Sequence, residues 1–149
     1  MNRGPRTWDL PTGRTNYAAD PQDWQTDYRC PDIAVFLDEN KDAKRQEAFY
    51  TGAADFFVEV ASADDRVRDR LPFYGKLHVQ ELLIIDRNPW QPELLRYADG
   101  KLAPAATGTV VGGEVLESRR LAVTFQLVPR GKRPGIRVVY SKTNQEWVV

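Results

Sequence analysis

The four consecutive aliphatic residues Leu82-Leu83-Ile84-Ile85 constrain this chain more than any other feature. In a strand, alternate side chains point to opposite faces, so an unbroken aliphatic run is stable only in a sheet covered on both sides. The run sits in "VQELLIID" (79–86) and reads as a central strand. A second apolar stretch, "ADFFVEVAS" (54–62), precedes it and reads as its partner. Between them lies the charged segment "ADDRVRDRLPFYGKL", which reads as a helix over about 65–77. Ser62, Asp64 and Asp65 are its N-cap candidates. Pro72 would cost a helix interior a backbone bond, so either the helix kinks there or Pro72 opens a separate last segment.

A proline-introduced strand is expected at "PDIAVFL" (31–37), and a charged connection with a helical turn at Asp38–Gly52. Beyond Asn88-Pro89, an edge strand is expected near Glu93–Tyr97, closing on a hairpin turn at "ADG". Near-alternating stretches at 113–116, 121–128, 136–140 and 146–149 predict a C-terminal antiparallel region. Residues 1–30 hold Gly4, Pro5, Pro11, Gly13 and Pro21 with scattered aromatics (Trp8, Tyr17, Trp24, Tyr28). They read as a loop-rich arm with one short strand near 25–30, ahead of a single domain over 31–149. The fold class is α/β: a mixed sheet with few helices and extra C-terminal antiparallel strands.

Composition removes several classes of function. The single cysteine, Cys30, excludes an internal disulfide and a cysteine-built zinc site, and the single histidine, His78, excludes a histidine-rich one. No apolar stretch approaches the ~20 residues of a membrane span, and the polar N-terminus lacks the apolar core of a signal peptide. A cytoplasmic protein is the expectation. Net charge is +0, but residues 20–64 carry eleven acidic residues against four basic, and 116–149 seven basic against two acidic. This asymmetry suits a cation site beside a phosphate-facing surface, or two solvated faces that pair with each other.

Two carboxylates stand out. Asp32 follows the proline that opens one strand, and Glu59 interrupts the next. If those strands pair, the carboxylates converge, and two hard oxygen ligands suit Mg²⁺, which keeps several waters. The alternative is that Glu59, sharing a face with Asp55 and Phe57, simply meets solvent. His78, at the end of the helix, reads as a C-terminal cap. Arg119, Arg120, Arg130, Lys132, Arg133 and Arg137 form a basic tail that suits either DNA phosphates or ordinary surface.

The ordered set "RCPDIAVF", "DFFVEVAS", "RDRLPFY" and "HVQELLIID" resembles the Uma2 family of restriction-endonuclease-like proteins, within the PD-(D/E)XK nuclease superfamily. The resemblance covers 29–98. It implies a restriction-endonuclease-like core and a Mg²⁺- (or Mn²⁺-) dependent endonuclease hydrolysing phosphodiester bonds in DNA, and it allows a homodimer. Carried over by motif, Asp32 and Glu59 are the metal ligands, Arg70 the third catalytic position, and Ser62 and Tyr74 substrate-side residues, with Lys76 as a further substrate-binding candidate. Glu81 and Asp86 match the acidic residues that bracket the third strand. The superfamily lysine two residues after the glutamate is Ala61 here, and the family's helix lysine aligns with Arg70, which keeps the charge but cannot act as a base. Lys76 is the nearest lysine, but six residues along a regular helix place it about 120° off the Arg70 face. His78 stands where the family has glycine. These departures favour a second reading as well, a non-catalytic nuclease-fold domain that binds DNA or protein.

Overall fold

The computed structural model describes residues 16–149. The strands in chain order are β1 (Tyr17–Ala18), β2 (Tyr28–Arg29), β3 (Ile33–Val35), β4 (Lys44–Arg45), β5 (Tyr50–Thr51), β6 (Phe56–Ala61), β7 (Glu81–Arg87), β8 (Trp90–Ala98), β9 (Lys101–Thr107), β10 (Val115–Ser118), β11 (Val123–Val128), β12 (Gly135–Tyr140) and β13 (Gln145–Val148). A 3-10 turn (Val67–Arg70) and the helix α1 (Leu71–Lys76) lie between β6 and β7. No described helix is long and apolar enough to cross a membrane.

The central sheet has the order β3-β6-β7-β8-β9. Only β6 and β7 run parallel in it, with Glu59 opposite Ile84 and Ala61 opposite Asp86. A parallel pair cannot be joined by a tight turn, and this one uses the 3-10 turn and α1 as its crossover. Leu82 and Ile84 of β7 pack with Phe57, Phe73, Tyr74 and Leu77 on the helix side. Leu83 and Ile85 pack with Phe56, Val58, Leu116 and Phe125 under the C-terminal sheet β10-β11-β12-β13. The aliphatic run is therefore buried on both faces, as its composition requires. Each such fully buried side chain contributes about 1.5–3 kcal/mol.

Three local expectations are corrected. The charged stretch 38–52 holds no helical turn. It forms the antiparallel pair β4–β5, which joins β1 and β2 in a small sheet of two-residue strands. Asn40 organises its start, accepting from the amides of Asp42 (3.1 Å) and Ala43 (2.9 Å). Gly52 is required there, because at φ +75° a Cβ would collide with the Asp42 carbonyl. Second, β8 is an interior strand, since β9 pairs along its outer side. The low β-propensity of "KLAPAAT" concealed β9, and Pro104 is tolerated because β9 is the edge. The joining turn, Asp99-Gly100, has positive φ at both residues, as a two-residue type I′ hairpin demands. Third, the crossover starts without a side-chain cap. Its N-cap is Arg66, and Ser62 contributes only its carbonyl, to the Asp65 amide (3.0 Å).

Pro72 resolves as the opener of a separate segment, in the first turn of α1 where its missing N–H costs nothing. α1 ends in a Schellman motif: the His78 amide donates to Gly75 (3.0 Å) and the Val79 amide to Tyr74 (3.1 Å). His78 occupies its left-handed position at φ 61°. That conformation favours glycine, which accounts physically for the glycine the resemblance places there. The His78 ring lies 5.6 Å from that of Tyr97.

Among the described part of the first thirty residues, Tyr17 is fully buried against Phe36, Tyr50 and Phe57. Trp24 stacks on Phe49 at 4.9 Å. The strand expected near 25–30 is β2. Trp8 lies outside the described residues.

Two buried carboxylates fasten the C-terminal sheet to the central one. Glu81 accepts from Arg96 Nε (2.9 Å), Ser118 Oγ (2.5 Å) and the amides of Arg119 (3.0 Å) and Arg120 (3.2 Å). Asp55 accepts from the Leu37 amide (2.8 Å), Asn40 Nδ2 (2.8 Å) and Arg120 Nε (2.7 Å). Glu81→Ala should cost about 1–3 kcal/mol, because it leaves the buried Ser118 hydroxyl and the half-buried Arg96 cation without their acceptor. The midpoint of urea unfolding measures this. His78→Gly should raise stability by up to about 1 kcal/mol in the same assay, by relieving left-handed strain.

Candidate active site

The site forms where β3 meets β6. Their antiparallel register sets Ile33 opposite Val58, so the next pair along is Asp32 and Glu59. Asp32 is exposed, and its Oδ2 accepts from the Val60 amide at 2.7 Å, beyond the last ladder pair. Glu59 is only 2% exposed. It lies on the helix side of β6 with Phe57 and Ala61, so the solvent-facing alternative is overturned. Strand alternation shows which residues share a face but not what covers that face, and the cover here is α1.

The crossover brings two groups onto Glu59. The buried Tyr74 hydroxyl donates to Glu59 Oε1. Arg70 Nη1 lies 3.5 Å from each Glu59 oxygen, and Arg70 Nη2 lies 3.6 Å from Asp65 Oδ1. The Arg70 side chain is 37% exposed, so the guanidinium bridges a buried carboxylate and solvent. Burial pushes the Glu59 carboxyl above its usual range and the Asp32 charge adds to this, while Tyr74 and Arg70 act in the opposite direction. Burial, then the neighbouring Glu59 charge, raises the Tyr74 phenol, which keeps it a proton-bearing donor.

Asp32, Glu59, Arg70 and Tyr74 are thus assembled at one place. Ser62 is exposed just past β6, and Lys76 is exposed at the end of α1. Among the described residues, no hydrogen bond or ion pair joins either side chain to the assembled four. Asp86 belongs to a separate network in which Arg68 Nη2 bonds both Asp86 and Glu93 at 2.7 Å. Two participants were not assigned to the site from the sequence. Asp65 read only as a cap candidate, because its approach to Arg70 depends on the irregular 3-10 turn. Arg29, the first residue of "RCPD", lies with its Cζ 5.0 Å from the Phe73 ring centre, and its charge acts to lower the Tyr74 phenol. The arginine of that motif was the available signal.

The donor set suits one kind of ion. Two carboxylates on paired strands fit a hard divalent cation that keeps most of its water, such as Mg²⁺ or Mn²⁺. Among the described residues no group of three or more His, Cys, Asp or Glu is placed to hold a metal, so an all-protein cage is not on offer.

The profile of the Uma2 family, described as "Putative restriction endonuclease", matches residues 9–129. The chain belongs to the Uma2 family. No curated protein matches it. The mixed sheet with one α-helix among the described residues is consistent with a restriction-endonuclease-like fold, as the resemblance implied. The family's description points to nuclease function at the level of the family.

The raised Glu59 carboxyl sets a pH dependence. Between its ordinary value of 4.5 and its higher folded value, the folded protein binds the extra proton. Glu59 should therefore lower stability progressively as pH rises through that window. In chelator-containing buffer, the stability of wild type minus that of Glu59→Gln should fall with pH from about 4.5 upward. Tyr74→Phe should cost about 1–3 kcal/mol above the window, where the ionised carboxylate has lost its donor, and less below it.

Proposed function

We propose that this Uma2 protein is a divalent-metal-dependent DNA endonuclease that hydrolyses phosphodiester bonds, with Asp32 and Glu59 as ligands to Mg²⁺ or Mn²⁺. The observation that carries this reading is the convergence of an exposed and a buried carboxylate across the β3–β6 pair, with the Arg70 cation beside them. A bound ion would supply charge stabilisation at a phosphoryl oxygen and a more acidic water. The chain's own contribution is positional. Tyr74 holds Glu59 Oε1 and so orients the carboxylate, while Asp32 is held by the Val60 amide. Arg70 reaches solvent from the same spot, and its planar fork suits a non-bridging phosphate oxygen pair. Arginine is not a general base, and Ala61, buried where the superfamily has lysine, cannot serve as one either.

One feature favours a second reading, that of a non-catalytic domain binding DNA or protein. Arg70 stands close to both Glu59 oxygens and already neutralises the carboxylate from within the chain. The two readings separate in a plasmid-nicking assay. Wild type should nick in Mg²⁺ or Mn²⁺, and Glu59→Gln should reduce the rate by about 100-fold or more, as expected for losing several kcal/mol of charge stabilisation. Its circular dichroism should be unchanged. A wild type that cleaves no DNA form at any metal concentration, with nicking appearing only in Arg70→Lys, would establish the second reading.

A further inference from the structure

The opposite face of β6 carries a groove of about 550 Å³ that the proposed chemistry does not use. It opens where the C-terminal sheet stops short of covering the central one. Its floor is apolar, formed by Val60, Ile85 and Ile136, with the partly exposed Trp90 in its wall. Its rim is the β11–β12 turn, which contributes Arg130, Lys132 and Arg133, all exposed. No acidic side chain lines it. Two other arginines of the basic tail are differently employed: Arg120 is spent on Asp55, and Arg137 on Glu146 at 2.9 Å. Arg130 donates to the Val148 carbonyl (3.2 Å), and none of the three rim cations has a carboxylate partner among the described residues. The groove also lies against the proposed site. Val60 lines it, and the Val60 amide, in the plane of the sheet, donates to Asp32.

We infer that this groove seats an unpaired nucleotide of a DNA strand, its base against Trp90 and its phosphates on Arg130, Lys132 and Arg133. The pairing of an aromatic wall with unpaired cations and an apolar floor matches the two faces of a nucleotide. An apolar protein segment would leave three cations unanswered, and a bare polyanion would leave the floor and the indole unused. The volume lies within the range of small-ligand sites. The inference rests on the reading of the protein as DNA-acting, but not on cleavage, because strand binding here needs no metal.

The test is fluorescence anisotropy with a labelled oligothymidylate in chelator-containing buffer, beside a duplex and an abasic deoxyribose-phosphate oligomer of equal length. The oligothymidylate should bind most tightly. Trp90→Leu should weaken it by roughly 5- to 150-fold, the range for losing one stacking partner, while Trp90→Phe retains most of the affinity. The triple variant Arg130→Gln, Lys132→Gln, Arg133→Gln should flatten the slope of log affinity against log salt by about 2, at about 0.7 per contact. Binding that persists in chelator, where no divalent metal supports cleavage, separates this inference from the nuclease reading. Equal affinity for the abasic oligomer, or an affinity unmoved by both Trp90→Leu and the triple variant, would overturn it.

Discussion

The parallel pairing of β6 with β7 is the constraint from which the rest of the structure follows. Two neighbouring parallel strands need a connection that crosses the sheet, and this chain makes it in the nineteen residues between Ala61 and Glu81. The connection must lie on one face, and that face is the one on which Glu59 points. Arg70 and Tyr74 therefore reach Glu59 as a consequence of chain connectivity, and their spacing in sequence follows from the length of the crossover. The same pairing brings the buried Leu82 and Ile84 beneath α1, so core and site share one layer.

The central sheet and its partner under the C-terminal strands are held together by more than apolar contact. Glu81 and Asp55 are both buried, and both are served by the segment that links β10 to β11. Burying a carboxylate without partners would cost several kcal/mol, so these two acids fix where the C-terminal sheet docks rather than simply adding attraction.

The main features of the fold were legible in the sequence because they rest on strong patterns. An aliphatic run over Leu82–Ile85 has few homes other than a doubly covered strand, and proline and glycine mark most of the turns. The convergence of Asp32 and Glu59 was legible for the same reason, as two short strands close in sequence that pair. What escaped was what depends on tertiary cover. β9 is built from alanine, lysine and proline, and becomes a strand only because β8 offers it an edge. The β4–β5 pair lies in a charged stretch whose structure comes from Asn40 and the tight Gly52 turn. The burial of Glu59 depends on a tyrosine fifteen residues away, and no period in the strand reports it.

The contact between Asp32 and the Val60 amide has an evolutionary consequence. Asp32 finishes the sheet where backbone pairing ends, so this side chain has a structural duty independent of any metal. A descendant that gave up hydrolysis would still keep a use for an acceptor at this position, since it caps a strand amide beyond the last ladder pair. Glu59 is the freer of the two to drift, because burial opposes its charge even with Arg70 beside it. In this lineage the decay of activity would therefore show first at the glutamate and its arginine, while the proline-aspartate pair persisted.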